Sequence, residues 1–253
     1  MAGRWRRWAR GGLLAMAMGA PAVASAQVGR GDGFLFREPR STLTVSGGLA
    51  LPSARSDLFT YTTSQLTLDR ADFGAAAFAV DLSFAVTERT DVVVGISPSS
   101  SRTASEFRDW VDTNDQPIEQ VTTLARSPFT VSARYHLAPR GRRVGTIAWI
   151  PTRVVPFVGA GAGVMKYRFE QDGDFIDTET LNVFSDRLRA SGWAWVGQVS
   201  AGAHLTLTPR LMLSGEMRYL RGSADAERPN RDYVGYRLDL SGMTTLVGFT
   251  IRL

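Results

Sequence analysis

His136 and His204 are the only imidazoles in this 253-residue chain, which has no cysteine. Its chemistry is therefore narrowly bounded. A nucleophilic site would have to join His204 to Glu216 and to a nearby hydroxyl, Thr206 or Ser214, with the imidazole as base and the carboxylate orienting it. That trio would suit lipid or ester hydrolysis, but no G-x-S-x-G or His-x-Ser-Asn segment accompanies it. Both histidines also fall on strand faces that read as inward. Hydrogen-bonded interior histidines are the simpler expectation, and no catalytic residue is assigned. Two imidazoles do not make a zinc site without carboxylates at ligand spacing. The absence of cysteine removes thiolate metal sites, disulfides and a lipid-anchored cysteine. The acidic run Asp172-Gly173-Asp174, with Asp177 and Glu179, lacks the D-x-D-x-D-G order and terminal Glu of a calcium loop, and reads as a solvated loop. Gly159–Gly163 precedes neither Lys-Ser/Thr nor a helix, so it is not a phosphate loop. No metal and no cofactor is expected.

The charges that remain lie in strands. Asp81, Arg134, Lys166, Arg168, Glu216, Arg218 and Arg252 each alternate with apolar neighbours. Strand side chains alternate between two faces, so these seven share the face opposite an apolar stripe. The last residues set the pattern: Met243, Thr245, Val247, Phe249, Ile251 and Leu253 on one face, Thr244, Leu246, Gly248, Thr250 and Arg252 on the other. An apolar strand at a chain end is an aggregation hazard unless a closed barrel pairs it.

Seven more candidate strands precede it: Ser41–Leu51, Phe73–Val86, Asp91–Ser97, Val121–Leu137, Val154–Phe169, Gly192–Thr206 and Leu211–Leu220, with the eighth over Tyr236–Leu253. The phase of the eighth slips near Ser241-Gly242, as a bulge would cause. Within the fifth, Phe157, Met165, Tyr167 and Phe169 read as outward and Lys166 and Arg168 as inward. Long connections (52–72, 98–120, 170–191) alternate with short ones (87–90, 207–210), as in up-and-down barrels. The sixteen-residue 138–153 breaks the rule and reads as a small flap. With the first strand running outward, Tyr167, Phe169, Trp193, Trp195 and Tyr219 form one aromatic girdle and Phe84, Tyr135, Phe157 and Phe249 the other. A soluble lipocalin-type barrel or sandwich would reverse the faces, with apolar residues inside. The repeated mixed-sign charges opposite the stripe favour a polar interior and an apolar exterior.

Residues 1–26 read as a secretory signal peptide: Arg4, Arg6, Arg7 and Arg10 without an acid, then a short apolar run, then Ala24-Ser25-Ala26. That implies Sec-type export with cleavage near Ala26-Gln27; the apolar run is too short to span about 30 Å of hydrocarbon. Residues 27–40 read as an irregular periplasmic lead-in and 41–253 as one barrel domain. The formal charge of +5 falls to +1 once the four signal-peptide arginines are removed, leaving 25 bases against 24 acids. The basic balance is thus no sign of nucleic-acid binding.

With this signal peptide, the Pro156-Phe157-Val158-Gly159-Ala160-Gly161-Ala162-Gly163 segment, the Glu216-Met217-Arg218-Tyr219 strand end and Asp239-Leu240-Ser241-Gly242 before the last strand, residues 41–253 resemble the small bacterial outer-membrane β-barrels of the eight-stranded OmpA/OmpX/OmpW-like type. The resemblance implies an all-β, eight-stranded antiparallel up-and-down transmembrane barrel in the bacterial cell outer membrane. It implies contact with outer-membrane lipid and lipopolysaccharide. Periplasmic chaperones and the barrel-assembly machinery would insert the chain, reading Phe249, Ile251 and Leu253; family members usually end in Phe where Leu253 stands. The fold hosts adhesins, small pores and a few lipid enzymes, so it does not fix activity.

The expected product is a monomeric, non-enzymatic barrel with a structural or surface-interaction role. Its lumen would be closed by paired charges, Ala75, Ala77, Ala79, Ala160 and Ala162 leaving room for them to meet. The loop aromatics Phe59, Tyr61, Phe107, Trp110, Phe175 and Phe184 would serve binding or loop packing. A narrow solute pore is the alternative reading, and a lipid-modifying enzyme the third.

Overall fold

In the computed structural model the described residues are 33–111, 115–176, 183–225 and 237–253. The signal-peptide reading, the cut after Ala26, and Asp177 and Glu179 lie outside them. The strands are β1 (Ser41–Pro52), β2 (Ala75–Ala85), β3 (Thr90–Ile96), β4 (Ser99–Val111), β5 (Pro117–His136), β6 (Gly141–Val144), β7 (Ala148–Pro151), β8 (Val154–Ile176), β9 (Val183–Thr206), β10 (Leu211–Asp225), β11 (Arg237–Asp239) and β12 (Gly242–Arg252). One helix, α1 (Asp57–Gln65), and a 3-10 turn over Arg70–Phe73 follow β1. Among the described residues no helix is long and apolar enough to cross a membrane.

Eight antiparallel staves close into a ring. β1 pairs with β2 on one side and β12 on the other, Val45 standing between Val80 and Phe249. The ring continues β12-β10-β9-β8-β5-β3-β2. Two staves are built in two pieces. β3 and β4 are separated at Ser97-Pro98, where proline has no amide hydrogen to give the ladder. β11 and β12 part at Leu240-Ser241, where the Ser241 hydroxyl donates to the Gly222 carbonyl (3.2 Å). This break accounts for the phase slip read from the sequence: Leu238 and Leu240 are buried, and Met243 restarts the outward face.

The alternation holds around the ring. Val45, Phe78, Phe129, Val131, Val199, Met217 and Val247 are exposed on the outside. Thr44, Asp81, Thr130, Arg134, Ser214, Glu216 and Thr250 are buried within. Such a continuous apolar exterior over a polar interior is the reverse of a soluble barrel.

Three connections depart from the sequence reading. Residues 98–120 and 170–191 are mostly β-ribbons, formed by β4–β5 and β8–β9 running past the ring. Residues 52–72 turn inward instead of standing as a surface loop. Ala54 takes a left-handed backbone (φ 47°), and Ser53 N–H donates to Ser241 O (2.9 Å), drawing the chain over the mouth. α1 then buries Leu58, Phe59 and Thr62, one i to i+4 face. The 138–153 flap is the β6–β7 hairpin. Its buried Trp149 exchanges two backbone hydrogen bonds with Leu35 of the lead-in (2.8 and 2.7 Å).

β8 and β5 approach so closely that a Cβ on Gly163 would lie 1.9 Å from the Phe129 carbonyl oxygen, whereas one on Gly197 would meet nothing within 4 Å. Gly163→Val should therefore abolish folding or lower stability by about 1–3 kcal/mol. Gly197→Val should leave it within about 0.5 kcal/mol of the parent. Denaturant unfolding after refolding into lipid, followed by gel mobility before and after boiling, measures both.

Candidate functional site

The lumen has two layers. Toward the short turns it is polar and ionised; toward the ribbons it is apolar.

The polar layer is centred on Arg218, which β10 points inward opposite Thr244. It bonds Asp81 of β2 and Glu216 of its own strand (3.0 Å), and Glu216 also receives Arg134 of β5 (2.9 Å). All four side chains are buried. Two cations and two anions form a neutral chain across the barrel. Gly95, paired opposite Asp81, leaves the space its carboxylate occupies: a Cβ there would fall 2.0 Å from Oδ1. Arg134 also lies over the Phe157 ring (4.2 Å), and Phe157 stacks on His204 (4.7 Å).

Nearer the turns a second cluster forms. Asp91 of β3 bonds His136 (2.8 Å) and Arg140 (2.8 Å), while Glu38 of the lead-in bonds Arg143 (2.9 Å) and approaches Arg140 (3.6 Å). These pairs tie the lead-in and the base of the flap to the barrel wall. Arg252 bonds the Pro209 carbonyl (2.8 Å) and Thr206 Oγ1 (2.9 Å), with its guanidinium over Trp149 (5.4 Å).

Above the charges, α1, the 3-10 turn and the segment joining them supply Leu58, Phe59, Leu66, Leu68 and Phe73 to an apolar core shared with Leu124, Met165, Tyr167, Phe169 and Leu240. Phe59 sits edge-on to Phe73 (4.8 Å) and Phe169 (5.7 Å). Arg126 lies in this layer and donates to the carbonyls of Leu240 (3.2 Å) and Ser241 (3.4 Å).

The layering corrects the reading of β8. Lys166 and Arg168 are exposed on the outside, while Phe157, Met165, Tyr167 and Phe169 point inward. The period of two was legible, but the apolar cap needs apolar partners inside, and long basic side chains lie readily at a membrane rim. Ala160 and Ala162 accordingly face outward, and Gly159, Gly161 and Gly163 take the lumen side. The girdles shrink to Trp193, Trp195 and Tyr219 at one rim and Phe84, Tyr135 and Phe249 at the other, all exposed.

Asp81, Arg134, Glu216 and Arg218 come together. Arg252 faces the lumen at the turn end, and Phe249, Ile251 and Leu253 face outward. Asp91, Glu38, Arg126 and Arg140 were not singled out from the sequence. Asp91 and Arg126 were within reach, since each lies on the inward parity of its strand; Glu38 and Arg140 lie in irregular segments without a period.

The candidate catalytic groups are otherwise engaged. Glu216 is held by two arginines, His204 by Phe157, and Thr206 donates to Thr152 O (2.8 Å) while accepting from Arg252. Asp172 bonds Arg187 (2.6 Å), and Asp174 accepts from Ser185 (2.5 Å). Among the described residues no cluster of His, Asp and Glu is placed to hold a metal. Of the loop aromatics, Phe59 is fully buried and Phe107 packs against the cap; Tyr61, Trp110 and Phe184 are exposed, the last beside Phe175 (6.0 Å).

Removing one partner of a buried pair strands the other charge, so Arg218→Met should cost about 3–5 kcal/mol. Adding Asp81→Asn should restore part of that loss, giving a coupling of about 1–3 kcal/mol in a double-mutant cycle read by denaturant unfolding.

No protein-family model matches the chain, and no curated protein does. Solved structures do. Neisserial surface protein A (NspA) is 10% identical, with 87% of this chain and 97% of that one covered and a TM-score of 0.43. The outer membrane protein OprG from Pseudomonas aeruginosa is 12% identical over 86% and 98%, at 0.44. The attachment invasion locus protein Ail of Yersinia pestis is 10% identical over 84% and 99%, at 0.37. Scores this low carry no functional argument, and the architecture rests on the strand pairing itself: an eight-stave antiparallel barrel with an apolar exterior and an ion-paired lumen.

Proposed function

We propose that this protein is an integral barrel of the bacterial outer membrane, sealed at both mouths, with a structural or surface-interaction role. The observation that supports it is the inversion of polarity. Aromatic and aliphatic side chains stand exposed around the ring, while Asp81, Arg134, Glu216 and Arg218 are buried and paired inside. In water the exterior would aggregate; in hydrocarbon a closed ring satisfies every backbone group of its staves.

The lumen of eight staves is just wide enough for side chains. Here the cap fills one end and the charge clusters and the flap the other, which favours a plug over a pore. The role then falls to the ribbons and the cap helix, where Trp110 of β4, Phe184 of β9 and Tyr61 of α1 offer exposed rings on a rigid scaffold. A monomer inserted by the assembly machinery, with Phe249, Ile251 and Leu253 as the recognised edge, fits this reading, as does an absence of catalysis.

Fractionation and planar-bilayer recording test it. The protein is expected in the outer-membrane fraction, with a gel mobility that changes on boiling and no stable conductance. Recovery from the soluble periplasm would overturn the location. Reproducible high-conductance steps would overturn the sealed lumen in favour of a solute pore.

A further inference from the structure

Every rising stave of the ring starts from an arginine. β1, β3, β8 and β10 run from the short turns toward the ribbons, and Arg40, Arg89, Arg153 and Arg210 stand immediately before them. Each is fixed in the same way. The Arg40 carbonyl accepts the Ala85 amide (2.8 Å), that of Arg89 the His136 amide (2.7 Å), that of Arg153 the Thr206 amide (2.7 Å) and that of Arg210 the Arg252 amide (2.8 Å). All four side chains are exposed. Two residues on, at the same strand parity, come Thr42, Asp91, Val155 and Met212, and all of these line the small cavity beneath the flap. The four arginines thus share the lumen parity and encircle the turn-end mouth, whereas the outward parity of the same rim carries Phe84, Tyr135 and Phe249.

The charge at this mouth is unmatched. Arg37 of the lead-in and Arg142 of the flap add two more exposed guanidiniums. None of the six has a carboxylate partner within salt-bridge distance among the described residues. Of the side-chain carboxylates here, Glu38 is held by Arg140 and Arg143, and Asp91 by His136 and Arg140, which leaves Glu88. The ribbon end differs. There the signs mix, with Glu106 and Asp109 beside Arg102 and Arg108 on β4, and Asp172 bonding Arg187 (2.6 Å). One sign of charge gathered at a single mouth creates a potential that draws anions.

Spacing selects the kind of anion. Consecutive rising staves are separated by one descending stave. At about 4.8 Å per strand, the ring arginines therefore stand roughly 10 Å apart along the rim. A single phosphate or carboxylate cannot bridge two of them. An extended polypeptide advances about 10 Å in three residues. Carboxylates at that repeat meet successive guanidiniums, each able to grip one bidentately. A membrane headgroup would call for arginines on the outward parity, and these four lie on the inward one. We propose that the arginine ring docks an acidic, extended peptide segment of a periplasmic partner against the turn-end mouth. The flap keeps that segment outside the lumen. This inference rests on the membrane reading above, which turns this mouth to the periplasm.

The test uses the whole barrel in phosphatidylcholine nanodiscs, which leave both mouths open to solution. A fluorescein-labelled peptide of four Glu-Gly-Ser repeats is titrated and read by anisotropy. Saturable binding that weakens as salt rises is expected. Arg40→Gln, Arg89→Gln, Arg153→Gln and Arg210→Gln should each weaken it about two- to five-fold, and the quadruple variant should abolish it. Lys166→Gln combined with Arg102→Gln, Arg168→Gln and Arg221→Gln removes the same charge from the ribbon end and should leave the affinity unchanged. No saturable binding to an inserted barrel, or equal losses from the two quadruple variants, overturns the ring and leaves the membrane reading intact. Failure to insert, seen as an unchanged gel mobility, refutes the membrane reading itself. Displacement by inorganic phosphate beyond that by sodium chloride of equal ionic strength overturns the peptide in favour of separate anion sites. Phosphatidylglycerol retained from mixed discs in native mass spectrometry and lost in the ring variant, with no peptide bound, overturns it in favour of membrane lipid.

Discussion

Four buried charges hold this barrel to one arrangement. Arg218, Glu216, Arg134 and Asp81 come from three staves far apart in sequence, and they neutralise one another only if those staves close into the observed ring. A lone buried ion costs several kcal/mol, so a register slip would be penalised both by the stranded charge and by turning every outward side chain inward. The quartet therefore specifies the fold as much as it stabilises it. The cluster of Asp91, His136, Arg140 and Glu38 repeats the device nearer the turns, where it also fastens the flap and the lead-in.

Arg126 and Arg252 show how the remaining interior cations are accommodated. Neither bonds a carboxylate among the described residues. Arg126 donates to the two carbonyls at the break between β11 and β12, and Arg252 to a carbonyl and a hydroxyl at the mouth. Guanidinium carries five donors in a planar fork, so one arginine can satisfy several backbone oxygens that a broken ladder leaves open. That capacity suits a chain in which 28 of the 29 bases are arginine.

The apolar layer answers a different need. A polar lumen open at the ribbon end would admit water to the ion pairs and weaken them. α1, the 3-10 turn and the segment joining them close that end with Leu58, Phe59, Leu66, Leu68 and Phe73, and β8 answers with Met165, Tyr167 and Phe169. β8 thus shows its basic residues to the outside, beside Trp193. The inward cap and the outward cations are two faces of one alternation.

The sequence by itself determined the ring. Period-two alternation in eight segments, the mixed-sign charges opposite the apolar stripe, and the ladder from Met243 to Leu253 placed most staves in the right phase, because a strand's two faces are a local property of its residues. The quartet was legible for the same reason: Asp81, Arg134, Glu216 and Arg218 each lie on the inward parity of a clearly alternating strand. Only the tertiary structure decided which face of β8 is inside, because both of its faces mix apolar and polar residues and the choice depends on a cap supplied from about a hundred residues away. It also decided that 52–72 folds into the mouth, that Phe59 belongs to the core, and that β9 and β10 part at Gly222. Those outcomes depend on what fills the space between staves, and no local period records that.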